Sequence, residues 1–197
     1  MANDYGLGAN PTDEIILAGG NLEYCLTGTG EVTAGTWTSV GYTAKDAGAT
    51  LTDKPATFHD VNVTGLTDPV KRKPLDRQVQ LKATLLQLRL ENLAIAGGGL
   101  PTDVAGGVLK GGATVEPQEL KWRYTVQNDD DPTKDKRLYI PHGKVTDAAD
   151  IPFKDEAESG VALTISGYEV RGTEAPAVTY GGASLTGYRY LIAEGTF

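Results

Sequence analysis

The sequence predicts a mainly β domain built from antiparallel sheet, and three observations predict it. Short runs in which apolar and polar residues alternate recur along most of the 197 residues, the period of strands with one buried face. The runs are bounded by Gly, Asp and Pro, the residues that turns require. Helical periodicity shows only once, over Gln87 to Ala96. A chain of this size can bury roughly 70% of the surface it exposes when unfolded, so a single domain over residues 1–197 needs neither metal nor disulfide to hold a core.

An N-terminal arm, residues 1–20, precedes Asn21 to Leu26 and Thr36 to Val40, which read as a hairpin with the positive-φ turn residues Gly28-Thr-Gly30 between them. From residue 41 to 75 the composition shifts to Thr, Asp, Gly, Lys and Pro, with weak alternation at Thr50 to Leu51 and Phe58 to Val63. It reads as a long loop carrying its own β-ribbon. Arg77 to Leu86 is the strongest strand, with Val79, Leu81, Ala83 and Leu85 on one face and Gln80, Lys82 and Thr84 on the other. Leu86, Leu90, Leu93 and Ala94 then fall on one helical stripe, which predicts a short amphipathic helix from Gln87 to Ala96, stopped by Gly97-Gly-Gly99 and Pro101. Seven glycines between Gly97 and Gly112 predict a flexible loop. Leu120, Trp122, Tyr124 and Val126 alternate with Lys121, Arg123 and Thr125, and pair as a hairpin with Arg137 to Val145 across the acidic turn Asn128 to Pro132. Val161 to Tyr168, with Thr164 and Ser166 on its polar face, and Tyr188 to Ala193 complete the strands, the last within a C-terminal arm, residues 171–197. Met1 to Pro11 and Thr173 to Gly187 are expected to be mobile in the isolated subunit.

Charge and composition exclude several function classes. Eighteen Lys and Arg against 26 Asp and Glu give a net charge of −8, the wrong sign for a protein that grips phosphate backbones. Cys25 is the one cysteine, so no internal bridge forms, and it reads as a small buried hydrophobe; His59 and His142 lack neighbours at metal-ligand spacing. Residues 1–10 have no basic or apolar region of a secretory signal, and no apolar stretch approaches the ~20 residues that cross a bilayer. No membrane insertion is expected, and synthesis belongs to the cytoplasm. Gly182-Ala-Ser-Leu-Thr186 lacks the second glycine of a nucleophile elbow, and no phosphate-binding glycine motif occurs. Asn128 to Asp131 lacks the glycine and glutamate of a calcium loop and reads as a solvated hairpin tip. No catalytic residue, cofactor or metal site is expected.

The order of features, with Trp37-Thr-Ser-Val-Gly-Tyr-Thr-Ala-Lys-Asp-Ala-Gly48 after the first hairpin, a polar ribbon ending in Asp68-Pro-Val70, and Leu85-Leu-Gln-Leu-Arg-Leu-Glu-Asn-Leu93 joining the main strand to a flanking helix, resembles the major tail tube proteins of bacteriophages with long, non-contractile tails. That resemblance implies an antiparallel β-sandwich or partial barrel with one short flanking helix and a long extended loop. It further implies six copies closing into a ring, their inner sheets joined in a continuous barrel, and rings stacking into a virion tube that delivers DNA. The implied partners are further copies of the chain and the tape-measure, tail-tip or terminator proteins, with DNA passing through without sequence-specific binding. In that reading Asp68, Lys71, Arg72 and Lys73 contact the adjacent ring, and Gln80, Lys82, Thr84, Thr164 and Ser166 are candidates to line the lumen. Six copies at −8 would give a ring of about −48, repelling phosphate. Three alternatives remain at this point: a type VI secretion-like tube protein, a virion decoration or terminator protein, and a carbohydrate- or receptor-binding β-sandwich using Trp122, Tyr124 and Tyr139 as stacking residues.

Overall fold

The computed structural model describes residues 14–17, 19–26, 29–43, 48–61, 71–86, 89–109, 117–126, 134–147, 160–173 and 176–195. Along them run β1 (Glu14–Leu17), β2 (Asn21–Cys25), β3 (Thr38–Tyr42), β4 (Ala49–Val61), β5 (Lys71–Leu85), α1 (Leu90–Ala96), a 3-10 turn (Pro101–Asp103), β6 (Val104–Ala105) and β7 (Val108–Leu109). After these come β8 (Leu120–Val126), β9 (Lys136–Val145), β10 (Val161–Gly167), β11 (Thr179–Tyr180), β12 (Ala183–Ser184) and β13 (Leu191–Glu194). The architecture is mainly β, as expected, and the one α-helix among the described residues lies at its flank.

Nine strands share an antiparallel sheet in the order β1-β4-β5-β10-β9-β8-β2-β3, with β13 added to β9. The sheet divides at β9. Its C-terminal half pairs with β10 through Val145 and Ile165, while its N-terminal half pairs with β13 through Leu138 and Ile192; β8 runs along its other side. The two wings therefore fold over one another as layers and enclose Leu22, Leu51, Val79, Leu81, Leu85, Trp122, Tyr124, Ile140, Leu163 and Ile165. Where the wings meet again, Thr43 bridges Leu85 and the Leu86 amide donates to the Tyr42 carbonyl. This single bridge leaves a sandwich rather than a closed barrel.

The alternation in β5 and β10 is explained by this packing. Val79, Leu81, Ala83 and Leu85 are buried opposite Leu163 and Ile165, whereas Lys82 and Thr84 stay exposed. In β8, Trp122 and Tyr124 are core residues, and the Trp122 indole donates to the Gly143 carbonyl at 3.1 Å.

Four features differ from the sequence expectation. The helix begins at Leu90, because Leu86 still belongs to the sheet through its bond to Tyr42; of the expected stripe Ala94 is buried and Leu93 packs half-buried against the core, Leu86 is exposed, and Asn92, Ile95 and Ala96 are buried besides. The glycine-rich stretch contains the 3-10 turn and the β6–β7 hairpin. Gly98 and Gly99 donate to Ile95 and Ala94 to end α1, and Asp103 accepts the Leu100 amide at 2.7 Å. The first hairpin pairs as expected and Gly30 has positive φ, but its strands are joined by a long connection, of which residues 27 and 28 lie outside the described residues, and this connection folds back so that the Val32 amide donates to the Thr179 carbonyl.

The fourth difference concerns the back of β8 and β9. Val178 and Leu185 of the C-terminal segment pack with Val32, Tyr139, Val170 and Ala193 in a second apolar cluster, so residues 176–187 are built into the domain. This outer layer buries Lys121, which the alternation places on a polar face. Its ammonium donates to the carbonyls of Ala34 (2.9 Å) and Glu31 (3.3 Å). The Glu31 carboxylate accepts from Thr179 Oγ1 at 2.9 Å and the Gly181 amide at 3.0 Å. Positive φ at Gly181 and Gly182 turns that backbone toward it, an anion-holding concavity. Burial pushes the Glu31 carboxyl up, but the bonds from Gly181, Thr179, Gly182 and Thr33 together hold it below the usual carboxylate range.

Candidate functional site

The five lumen candidates fall on one face of one wing. Across β5 and β10, Lys82 pairs with Thr164 and Gln80 with Ser166, while Thr84 pairs with Ala162. Register extends the face through Thr50 and Thr52 on β4 and Lys144 on β9, and Ser166 and Thr146 share a hydroxyl hydrogen bond of 2.8 Å. Among the described side chains of these rows, the charged ones are Lys54, Lys82 and Lys144; register places Glu14 here as well. The opposite wing has its outer side covered by the second cluster. One wing thus offers a sheet face of Thr, Ser, Gln and Lys that no described segment covers with an apolar cluster; Lys82 and Thr84 are exposed on it, Gln80 and Ser166 half-buried, and Thr164, expected to line the lumen, is buried.

Beyond this face, β4 and β5 continue as a two-stranded ribbon. β1 covers β4 only from Ala49 to Thr52, but the β4–β5 ladder runs on to Val61 opposite Lys71, roughly 30 Å farther at strand rise. Two register shifts interrupt it near Pro55 and Pro74. Proline has no amide to donate, so it sits where a bulge or an edge needs none. Lys71, Arg72 and Lys73 lie in β5 at the far end of the ribbon, opposite Val61, Asp60 and His59. Asp68, residues 1–13 of the N-terminal arm and the Asn128 to Asp131 turn lie outside the described residues.

The ribbon is tied to the body where it leaves it. Arg77 meets Asp53 in a two-pronged ion pair, its Nε donating to Oδ1 at 2.8 Å, and the Tyr190 hydroxyl donates to Asp53 Oδ2 at 3.0 Å. Sequence reading missed this cluster because its members are 24 and 137 positions apart. The Arg77 hydrogen bond holds the Asp53 carboxyl below the usual carboxylate range, against the effect of burial and with help from Tyr190. Because the folded state binds this proton less tightly than the unfolded one, its stabilisation is complete above the ordinary carboxyl range. It is lost as pH falls through the depressed folded value. Arg77 is half exposed, so Arg77→Ala is expected to cost only about 0.5–1 kcal/mol near neutrality. In urea unfolding, the gap between the variant and the parent should close in acid.

The three aromatic residues considered as stacking platforms lie inside. Trp122, Tyr124 and Tyr139 are buried, the last against Trp37 and Tyr180, which removes them as sugar-stacking platforms. Cys25 is buried opposite Lys121, and His142 is buried with Nδ1 2.5 Å from Glu119 Oε1. Among the described residues no group of three or more His, Cys, Asp or Glu is placed to hold a metal ion, and no described helix is long and apolar enough to cross a membrane.

Two further strand edges complete the picture. In the sheet path β1 is the last strand on one side and β3 the last on the other, each with one full strand neighbour among the described residues. Exposed edges of this kind invite pairing with another chain. No curated protein matches the chain. A family model described as phage tail tube protein matches residues 10–180, most of its length. A β-sandwich with one flanking helix, a projecting ribbon and open sheet edges is thus accompanied by a match across nearly the whole domain, and the chain belongs to the phage tail tube proteins, structural components of the virion tail.

Proposed function

We propose that copies of this chain, made in the host bacterial cytoplasm, close into six-membered rings that stack into the tail tube, and that DNA is delivered through the bore. The observation that carries this reading is the asymmetry of the two wings. One has a covered back; the other presents the face of Gln80, Lys82, Thr84 and Ser166, with Thr164 buried within it, beside the edge of β1. Closing such sheets edge to edge around an axis satisfies the backbone groups of the edges and turns the open face inward. Threonine, serine and glutamine give DNA little to hold. The lysines of this face are offset by the net charge of the whole ring, which sets a repulsive background.

The ribbon then reaches the adjacent ring, where Lys71, Arg72, Lys73 and Asp68 meet charges of the next copy. Tape-measure and tail-tip or terminator proteins would occupy the bore and the two ends. Electron microscopy of the purified protein at high concentration is expected to show hollow tubes of constant diameter with six subunits per layer; a monodisperse monomer under all conditions overturns the proposal. Reversing the ribbon charges with Lys71→Glu, Arg72→Glu and Lys73→Glu is expected to leave rings intact and abolish stacking.

A further inference from the structure

Seven large apolar residues are exposed on the described surface, and five of them gather at the two opposite ends of the strands. At one end, Tyr42 (58% exposed) and Leu86 are joined by the backbone bond that closes the sandwich. At the other, the ladder Val79–Gly167–Gly143–Leu120 marks the boundary. Just past it lie Tyr168, Leu26 (60%), which follows the Cys25–Lys121 pair, and Tyr188 (62%), whose carbonyl accepts the Val170 amide. The ends are separated by the seven strand residues from Val79 to Leu85, roughly 23 Å.

Resting on the ring-and-tube reading above, we infer that these two ends are the complementary halves of the stacking contact: Tyr42 and Leu86 of one copy pack against Leu26, Tyr168 and Tyr188 of a copy in the next ring. The occupant of each patch is a second copy of this chain, for three reasons.

The patches differ in composition and lie on opposite ends, so their contact is head-to-tail and repeats without closing, as a filament requires. The ribbon supplies the second reason. It leaves the body at the Asp53–Val79 and Lys54–Gln78 pairs, the same end as Tyr188, so contact through that end carries it alongside the neighbouring copy. The third is area. The exposed parts of the five side chains amount to on the order of 500 Å², well under the ~1,200 Å² of a stable interface. One copy would not hold another, whereas six junctions made together by two rings exceed that threshold roughly twofold. Exposed charges of both signs stand near each end, Arg89 and Glu91 at the first, Arg77, Glu119, Glu169 and Arg171 at the second, so neither end carries charge of a single sign. Rings accordingly form before they stack.

The test uses two full-length variants, Tyr42→Lys with Leu86→Lys, and Leu26→Lys with Tyr188→Lys. Each alone is expected to give single rings and no tubes by electron microscopy and mass photometry. An equimolar mixture restores one intact junction per pair and should give two-ring particles that grow no further. Tubes from either variant alone, or single rings that fail to pair on mixing, overturn the inference while leaving the tube reading standing. If the parent protein itself forms neither rings nor tubes, it is the tube reading that fails. Should a lysine variant not fold, the corresponding serine pair carries the same mixing test, with tube yield reduced at least tenfold as the expected result.

Discussion

Lys121→Ala is expected to lower the free energy of unfolding by about 3 kcal/mol, a large effect for a residue whose sequence context reads as a solvated strand face. Lys121 is 1% exposed as a residue, and its ammonium is held by the carbonyls of Ala34 and Glu31. Truncation leaves both acceptors without their charged donor, each at roughly 1 kcal/mol or more, and removes an aliphatic stem packed in the outer layer. The loop from Glu31 to Trp37 and the β11–β12 hairpin are joined through Glu31, so the loss should spread to both. Hydrogen exchange at the amides of Val32, Thr179 and Gly181 reads this directly, and their protection should fall together.

The same residue predicts a dependence on pH. Burial disfavours the charged amine, with Cys25 and Glu31 opposing that effect in part, and the Lys121 pKa falls below its ordinary value. In the alkaline window between the lowered folded value and the ordinary one, the unfolded chain binds more protons than the folded chain. Stability attributable to this group therefore rises with pH there. A Lys121→Met variant should lack that rise in urea unfolding measured from neutral to alkaline pH, so the stability difference between the parent and this variant grows in the parent's favour.

How far the sequence disclosed these features depends on whether one strand or two distant segments created them. The alternation of Val79 to Leu85 and of Val161 to Ile165 was legible because each strand has one apolar side, and the two polar sides it assigned, Gln80 with Lys82 and Thr164 with Ser166, turn out to be cross-strand partners on one face. The same reasoning misplaces Lys121, because what buries it comes from Glu31 to Ala34 and from a C-terminal segment whose apolar residues, Val178 and Leu185, are too far apart to show a period. The leucine stripe misleads for a related reason: Leu86 obeys helical spacing but is held by the β3 end of the sheet. The Asp53, Arg77 and Tyr190 cluster is likewise a product of topology, with no local signature in the chain.

Trp122→Ala is expected to be the most destabilising single change, at about 3–5 kcal/mol, since it empties the centre of the sandwich and removes the donor to the Gly143 carbonyl. The companion variant approaches the same contact from the other side. A Cβ at Gly143 would stand 2.5 Å from Trp122 Cδ1 and 2.9 Å from Ile165 Cγ2, so Gly143→Ala forces the indole off its seat and is expected to cost about 2–3 kcal/mol. In the double variant the indole is gone and only the Ile165 methyl remains in the way, so the two losses should fall short of additivity by about 1–2 kcal/mol. A domain of this size has on the order of 5–15 kcal/mol in total. Trp122→Ala should therefore leave a subunit that folds near 20 °C yet polymerises poorly when warmed, while full additivity in the cycle would show that Gly143 is required for a reason other than the close approach of Trp122.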